Sequence, residues 1–461
     1  LKPDNCGSLE PAMIPDRRQI LTLTGSMALG TATAVVGPRL AAAQTQPQSK
    51  TLSVTDFGVD PSSPSDQTKK IQDAIDLTSQ RSQSLYFPSG DYIVGQLKLG
   101  GFSHLIGEGR SSRLLGSGPE ALMVASSADD ILLHSLGFFR DGRQRRKQGE
   151  ALIFIKNTPH LRISNCHFEN SFSDGMKIRE CVGQIQDNVF INNAGTALSS
   201  EDSRSLDIFH NTVQDCGGGI RIRRRRRDND GTFITNNRIE RISINSENNG
   251  TGTGIELYRT NDVIISGNQV TDCGRSAIHA SEVSNLQLVG NSFLRSIEEG
   301  IKVTADFEGV IVANNMVDGA STGISLSNRK EGGRLSIVQG NIVRNLSRLK
   351  GQQGVGIAVE TDCSVNSNIV ENIPFAGILL GWGRHLRDAT VSNNVIRNTD
   401  IGIGVSIDSE AGYATIMNNM ISGAKKGAVR AMDLGKPIGP DLSQQSAEAF
   451  RNIAAFGNVS L

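Results

Sequence analysis

Asparagine recurs along this chain with a regularity that an ordinary globular core does not require. Anchors stand at 165, 188, 211, 237, 268, 291, 315, 341, 368, 394 and 419, separated by 23 to 31 residues. Ten of the eleven have an apolar residue two places on, from Phe190 and Val213 through to Ile396 and Ile421. Asn165 has His167 there and Phe168 one place later. Before each anchor the chain alternates, as in "LDIFHN", "VIISGN" and "LQLVGN". After it a Gly-rich turn leads into "GMKI", "GIRI", "GIEL", "GIKV", "GISL" or "GIAV". Period-two alternation marks short strands, several to each repeat. One such unit cannot bury its apolar face alone, whereas stacked units share a continuous core. No 3.6-residue periodicity runs through the repeats, which excludes a helical solenoid. The period also falls short of the ~40–45 residues of a propeller blade. The reading is an all-β, single-stranded parallel β-helix with one anchor per coil. The asparagines form a structural amide ladder.

Composition agrees where it bears on this. Fifty glycines, 5% aromatics and a single tryptophan suit many short strands and tight turns. The 47 basic and 47 acidic side chains cancel, so no global field favours nucleic acid or membrane. The repeat domain spans 50–461 and needs its ends covered, since an open coil exposes unpaired strand edges. "SDQTKKIQDAIDLTSQ" (65–80) predicts a helix with Ile71, Ala74, Ile75 and Thr78 on one face and Ser65 as N-cap. Within a C-terminal cap at 431–461, "DLSQQSAEAFRNIAAF" (441–456) predicts a shorter helix.

Residues 1–43 read as an address. From Met13, Arg17-Arg18 precedes a mildly apolar stretch that ends in Ala41-Ala42-Ala43, a small-residue cleavage site before Gln44. Thr, Ser and Gly interrupt the stretch, so no stable membrane span is expected. The pattern resembles a twin-arginine signal and implies that export machinery as a partner, with a periplasmic or secreted product. Residues 1–12 carry acids that fit no signal, so Met13 is taken as the start. Cys166, Cys181, Cys216, Cys273 and Cys363 are odd in number and lack CxxC spacing. They read as small core side chains rather than disulfides or a zinc site.

A family resemblance rests on "SVTDFGVDPSSPSDQTKKIQDAI", "LYFPSGDYIV" and "LIGEG". These resemble the opening of the pectin-lyase-like right-handed parallel β-helix superfamily. The whole chain resembles a group of twin-arginine-translocated repeat proteins. The resemblance implies the right-handed fold and a polysaccharide partner. It supplies no catalytic residue, because "DPH", "GHG", "RIK" and Gly-Asp nonapeptides are missing.

Candidate chemistry follows from stacking. Coils about 4.8 Å apart turn equivalent positions into columns, and residues alternating with the inward isoleucines point out. Coil by coil these are Lys177 and Arg179, Ser199 and Glu201, Arg221 and Arg223, Glu256 and Tyr258, His279 and Ser281, then Lys302 and Thr304. Beyond them the columns turn bland, at Ser325, Ser327, Ala358, Glu360, Leu379 and Gly381. Glu201 and Glu256, two rungs apart, are a candidate pair for inverting hydrolysis. Tyr258, His279 or Lys302 is alternatively the base of a β-elimination from an anionic glycan. Lys177, Arg179, Arg221, Arg223 and Arg224 are candidate substrate clamps.

The run "RIRRRRR" (221–227) is expected to leave the strand at Arg224 for a loop, with a second basic cluster at 140–148. Few aromatics, neutral charge and the export signal argue against nucleic acid. Tyr258 and Trp382 are candidate sugar-stacking residues, with Trp382 expected to pack beneath its own loop. No cofactor is implied. Ca²⁺ at Glu201-Asp202, Asp228/Asp230 or Asp408/Glu410 would lack a defined ligand spacing. Two classes stay open: a polysaccharide lyase or hydrolase, and a non-catalytic glycan-binding or scaffold β-helix.

Overall fold

The computed structural model describes residues 51–461, except 117, 141–149, 249, 329–332 and 445–449. The twin-arginine stretch, the cleavage site near Ala43 and nearly all of the basic run 140–148 lie outside the described residues.

The described chain is a parallel solenoid. Each full coil gives one strand to a 16-stranded sheet and two to a 28-stranded sheet that wraps two further faces. The two faces merge because Ile369–Leu380 and Val395–Ser406 are 12-residue strands that run through the corner. On the 16-stranded sheet register holds from coil to coil. Ile163, Ile185, Ile208, Ile234, Ile265 and Leu288 stack in one column, and all are buried. Alternation therefore sends one set of side chains inward along every strand. Phe138, Phe168 and Phe190 stack inside at 5.0 and 4.8 Å between centroids.

The amide ladder runs along one corner from Asn188 to Asn458. Asn188 donates its backbone N–H and its Nδ2 to Asn211 Oδ1, both at 3.0 Å, and the pattern repeats to Asn419 and Asn458. Each Nδ2 also reaches back to a carbonyl, as from Asn211 to Ile185 O at 2.8 Å. The ladder thus satisfies buried backbone groups where the sheet bends. Asn165 is not part of it. The backbone N–H of Cys166 donates to Asn188 Oδ1 at 3.0 Å, so Cys166 holds the anchor position. Asn165 instead has φ 54°, and the residue before every ladder Asn is left-handed too, among them Asp187, His210, Asn236 and Gly267. Asn, Asp and Gly tolerate that region best. The one-residue offset explains why Phe168, not His167, keeps the apolar spacing.

At the N-terminal end, Thr68–Gln80 is helical and buries Ile71, Ala74, Ile75 and Thr78. It starts at Thr68 rather than at Ser65, whose hydroxyl pairs with Ser63 Oγ at 2.7 Å. Gln67 occupies the cap position, with its amide tied to the backbone of Asp60 by two 2.8 Å bonds. At the other end the expected helix at 441–456 is absent from the described residues. Lys436–Asp441 pairs antiparallel with Val429–Asp433, and Ile453–Phe456 pairs parallel with Ala414–Met417. Asn458 takes the next ladder rung and Ile453 an inward position, so coiling continues there.

The five described cysteines are free and buried. Burial pushes the Cys216 thiol up to about 11 and those of Cys166 and Cys273 up to about 12. Protonated and enclosed, they are core side chains. Among the described residues, no helix is long and apolar enough to cross a membrane.

Candidate functional site

The strands reading "GIxI" or "GIxV" owe their glycines to close approach between coils. A Cβ at Gly219 would lie 2.0 Å from Gly254 O, and one at Gly356 2.3 Å from Gly377 O. That contact fixes the face in register. One outward column runs Lys177, Ser199, Arg221, Glu256, His279, Lys302, Ser325, Ala358, Leu379. Beside it run Arg179, Glu201, Arg223, Tyr258, Ser281, Thr304 and Ser327.

Stacking brings the charges within reach of one another, and they pair. Arg179 meets Glu201 at 2.8 Å, and Arg221 Nε meets Glu256 Oε2 at 2.8 Å. Lys302 Nζ meets Glu299 Oε1 at 2.8 Å, while Ser276 Oγ donates to Glu299 Oε2, also at 2.8 Å. Glu201 and Glu256 therefore stand on neighbouring columns, each held by its own arginine. Lys177 Nζ lies 5.8 Å from the centre of the Phe154 ring. Arg223 and Arg259 lie 5.9 and 4.7 Å from that of Tyr258, a cation–π arrangement.

His279 sits between these pairs, with Nε2 3.2 Å from Thr304 Oγ1. Burial first, then the Lys302 ammonium, lowers its pKa against the opposing pull of Glu256 and Glu299. The imidazole is thus neutral at neutral pH, the form that accepts a proton.

The arginine run does not leave the strand. Gly218–Asn229 is a single 12-residue strand whose register shifts between Arg223 and Asp228. Acids of its own coil and of other coils hold it there. Arg225 pairs with Asp202 and Glu180, Arg227 with Asp306, and Arg224 with Asp228 and the fully buried Asp230. Arg224 also donates to Ser203 O at 2.8 Å, and its side chain is only 11% exposed. It is therefore built into the coil rather than offered to solvent. Arg140, the one described residue of the other basic cluster, is buried and donates to the carbonyls of Gly118, Pro119 and Glu120.

Two concavities lie along the face. A trough of about 520 Å³ is lined by Arg221, Arg223, Glu256, Tyr258 and Arg275 and walled by the short hairpin Ile244–Asn245/Gly250–Thr251. A groove of about 740 Å³ occupies the stretch whose columns are bland in sequence. Glu299, Lys302, Thr304, Ser325, Ser327, Gln352, Gln353, Glu360, Leu379 and Trp382 line it. Trp382 is 42% exposed at its rim, not covered by its own loop. The outward columns missed Glu299 because it lies two residues before the first inward isoleucine, Ile301. Asp174 stands at the same position of its own coil, before Met176. It is buried, accepts the Thr196 N–H at 2.8 Å, and burial raises its pKa. Among the described residues no group of three His, Cys, Asp or Glu is placed to hold a metal ion.

Residues 138–239 and 225–396 match the family model described as right handed beta helix region. Residues 51–119 match rhamnogalacturonase A/epimerase, pectate lyase-like. No curated protein sequence matches the chain. Among solved structures, the N-terminal fragment of bacteriophage phi29 gene product 12 is 14% identical, with TM-score 0.54 over 88% of this chain and 71% of that one. The catalytic unit of a GH87 α-1,3-glucanase from Streptomyces thermodiastaticus is 15% identical, with TM-score 0.46 over 91% and 70%. Likeness at these identities is one of fold. With the family match spanning more than half of the sequence, and with the ladder and register above, the chain belongs to the right-handed β-helix family, within the pectin-lyase-like superfamily.

Proposed function

We propose that this face binds an acidic polysaccharide and cleaves it, outside the cytoplasm, after export directed by residues 1–43. The observation that carries this reading is the alignment of trough and groove along one flat run of coils, with His279 between them. A linear polymer fits such a surface, since rungs about 4.8 Å apart repeat its contacts. Arg223 and Arg275 offer forks for carboxylates, and Tyr258 and Trp382 offer ring faces for sugars. The match of residues 51–119 to a rhamnogalacturonase/epimerase family supports a carbohydrate substrate.

β-Elimination suits the central group best. A neutral imidazole takes the proton next to a uronate carboxylate. The C–H electron pair becomes the new double bond, and the glycosidic bond to the leaving oxygen breaks. Cations beside the carboxylate stabilise the charge that develops. Glu201 and Glu256 are held by arginines, Lys302 by Glu299, and the Tyr258 ring is engaged by Arg223 and Arg259, which favours His279 as the base. The same pairing supports a second reading, a glycan-binding β-helix without turnover.

The test uses residues 44–461 with a panel of uronate-containing and neutral glycans, following conjugated-double-bond absorbance and new reducing ends. His279→Gln is expected to lose about 100-fold or more of turnover while binding is retained. Reducing ends without absorbance would mean hydrolysis. Binding without either signal would favour the second reading, and loss of binding together with turnover would remove His279 from the chemistry.

A further inference from the structure

The groove has one closed end. Its last lining rung is Phe375, Leu379, Gly381 and Trp382. In the following coils the two outward columns continue as Gly404 and Ser406, then Arg430 and Met432. The protein fills that space itself. A Cβ at Gly404 would lie 3.0 Å from Met432 Cγ and 3.1 Å from Leu379 Cδ1, so both side chains close over the glycine. Both belong to an apolar cluster separate from the solenoid interior, with Val355, Phe375, Ala376 and Ile401. Ser406 is buried and donates to Gly383 O at 2.6 Å. The tip of the hairpin Val429–Asp433/Lys436–Asp441 backs the tryptophan, because a Cβ on Gly435 would lie 2.8 Å from Trp382 Cη2. In the other direction the columns lead from Lys302 to His279 and the trough.

We infer that the groove receives the end of a polysaccharide chain, which makes the protein exo-acting. A chain interior would have to pass through the side chains of Leu379 and Met432 that cover Gly404, whereas a chain end stops against Trp382. The lining suits a terminal sugar, which presents one more hydroxyl than an internal one. Ser325, Ser327, Gln352 and Gln353 supply neutral donors and acceptors, with a ring face beside them. The inference rests on the glycan reading above and narrows it from a polymer to a polymer's terminus.

The chain's single tryptophan stands at the closed end and reports on its occupancy. The experiment titrates His279→Gln with polygalacturonate of two mean lengths at equal mass, following tryptophan fluorescence, with calorimetry in parallel. For end binding, shortening the polymer about tenfold lowers the midpoint in mass concentration about tenfold, because ends are what is counted. A tag on the reducing end, or an unsaturated sugar at the other, should abolish the response, and which one does so gives the polarity. A midpoint unchanged in mass units, or calorimetric binding with silent fluorescence, overturns end recognition and leaves the glycan reading standing. No binding by either method to any panel glycan overturns both. With active protein, short products from the first minutes support the inference, and an early ladder of long ones overturns it.

Discussion

The two halves of the face share one register and differ in everything attached to it. From Lys177 to His279 the columns alternate base and acid, and the concavity there is the smaller, about 520 Å³. From Lys302 to Trp382 they carry, after the lysine, mainly hydroxyls and apolar groups, beside a concavity of about 740 Å³. Stacking explains the contrast. Opposite charges one rung apart close on each other, as Arg179 does on Glu201 and Arg221 on Glu256, and so neutralise each other. Short neutral side chains leave the floor low. The walls then come from elsewhere, from Gln352 and Gln353, Phe375 and the Trp382 rim. Conspicuous charge on a β-helix face is therefore weak evidence of an open site.

The largest expected effect asks whether the halves also differ beneath the surface. Asn237 belongs to the coil between Arg223 and Glu256 of the trough and Asn341 to the coil between Ser327 and Gln352 of the groove, each accepting two bonds and donating to a carbonyl and the next amide. Replacing either by alanine strands a buried backbone N–H and a carbonyl, at a cost of about 2–4 kcal/mol. Urea unfolding of the two variants should give equal losses. Unequal ones would mean that the frame, and not only its decoration, changes along the chain.

A smaller effect separates the charges themselves. Glu299 is 8% exposed in its side chain and holds both Lys302 and Ser276, whereas Glu256 is 27% exposed. Glu299→Gln should cost about 2–3 kcal/mol and Glu256→Gln about 1 kcal/mol, because both oxygens of the more enclosed carboxylate accept 2.8 Å bonds and a neutral amide can accept only one of them. Added salt should narrow the second loss more than the first. The reverse order would place the buried charge in the trough.

Much of this was legible because two periods coincide in the sequence, two residues along a strand and one anchor per coil. Together they place Lys177, Arg221, Glu256, His279 and Lys302 in a single column by spacing alone. What was not legible depends on contacts distant in sequence. Glu180, Asp202 and Asp306 hold the arginine run in its strand, and none of them is near it in sequence. The ladder's first member, Cys166, has no amide side chain, and its thiol makes only the reach back to carbonyls, such as Leu133 O at 3.5 Å. Asn458 follows Asn419 after 39 residues, a gap that hides the last coil behind the hairpin from Val429 to Asp441. The groove leaves no mark on the columns because its walls, Gln352, Gln353, Phe375 and Trp382, lie off them.

The finest discrimination is by pH. His279 lies where the two halves meet, and burial together with Lys302 lowers its pKa below the ordinary 6.5. Between that value and its folded pKa, the unfolded chain takes up a proton that the folded protein refuses. Stability should therefore be constant in this respect above 6.5 and fall as pH drops through it, until the folded imidazole also protonates. His167 is lowered in the same direction by burial and Arg110, so it contributes to the same slope. Urea midpoints measured from about pH 7 to about pH 5 should fall less steeply in His279→Gln than in wild type, and less again when His167→Gln is added. If turnover uses His279, its acid limb must also lie below 6.5 in the free enzyme. A limb at or above 6.5, with the stability slope unchanged by His279→Gln, would move the titrating group off this rung and away from the junction of trough and groove.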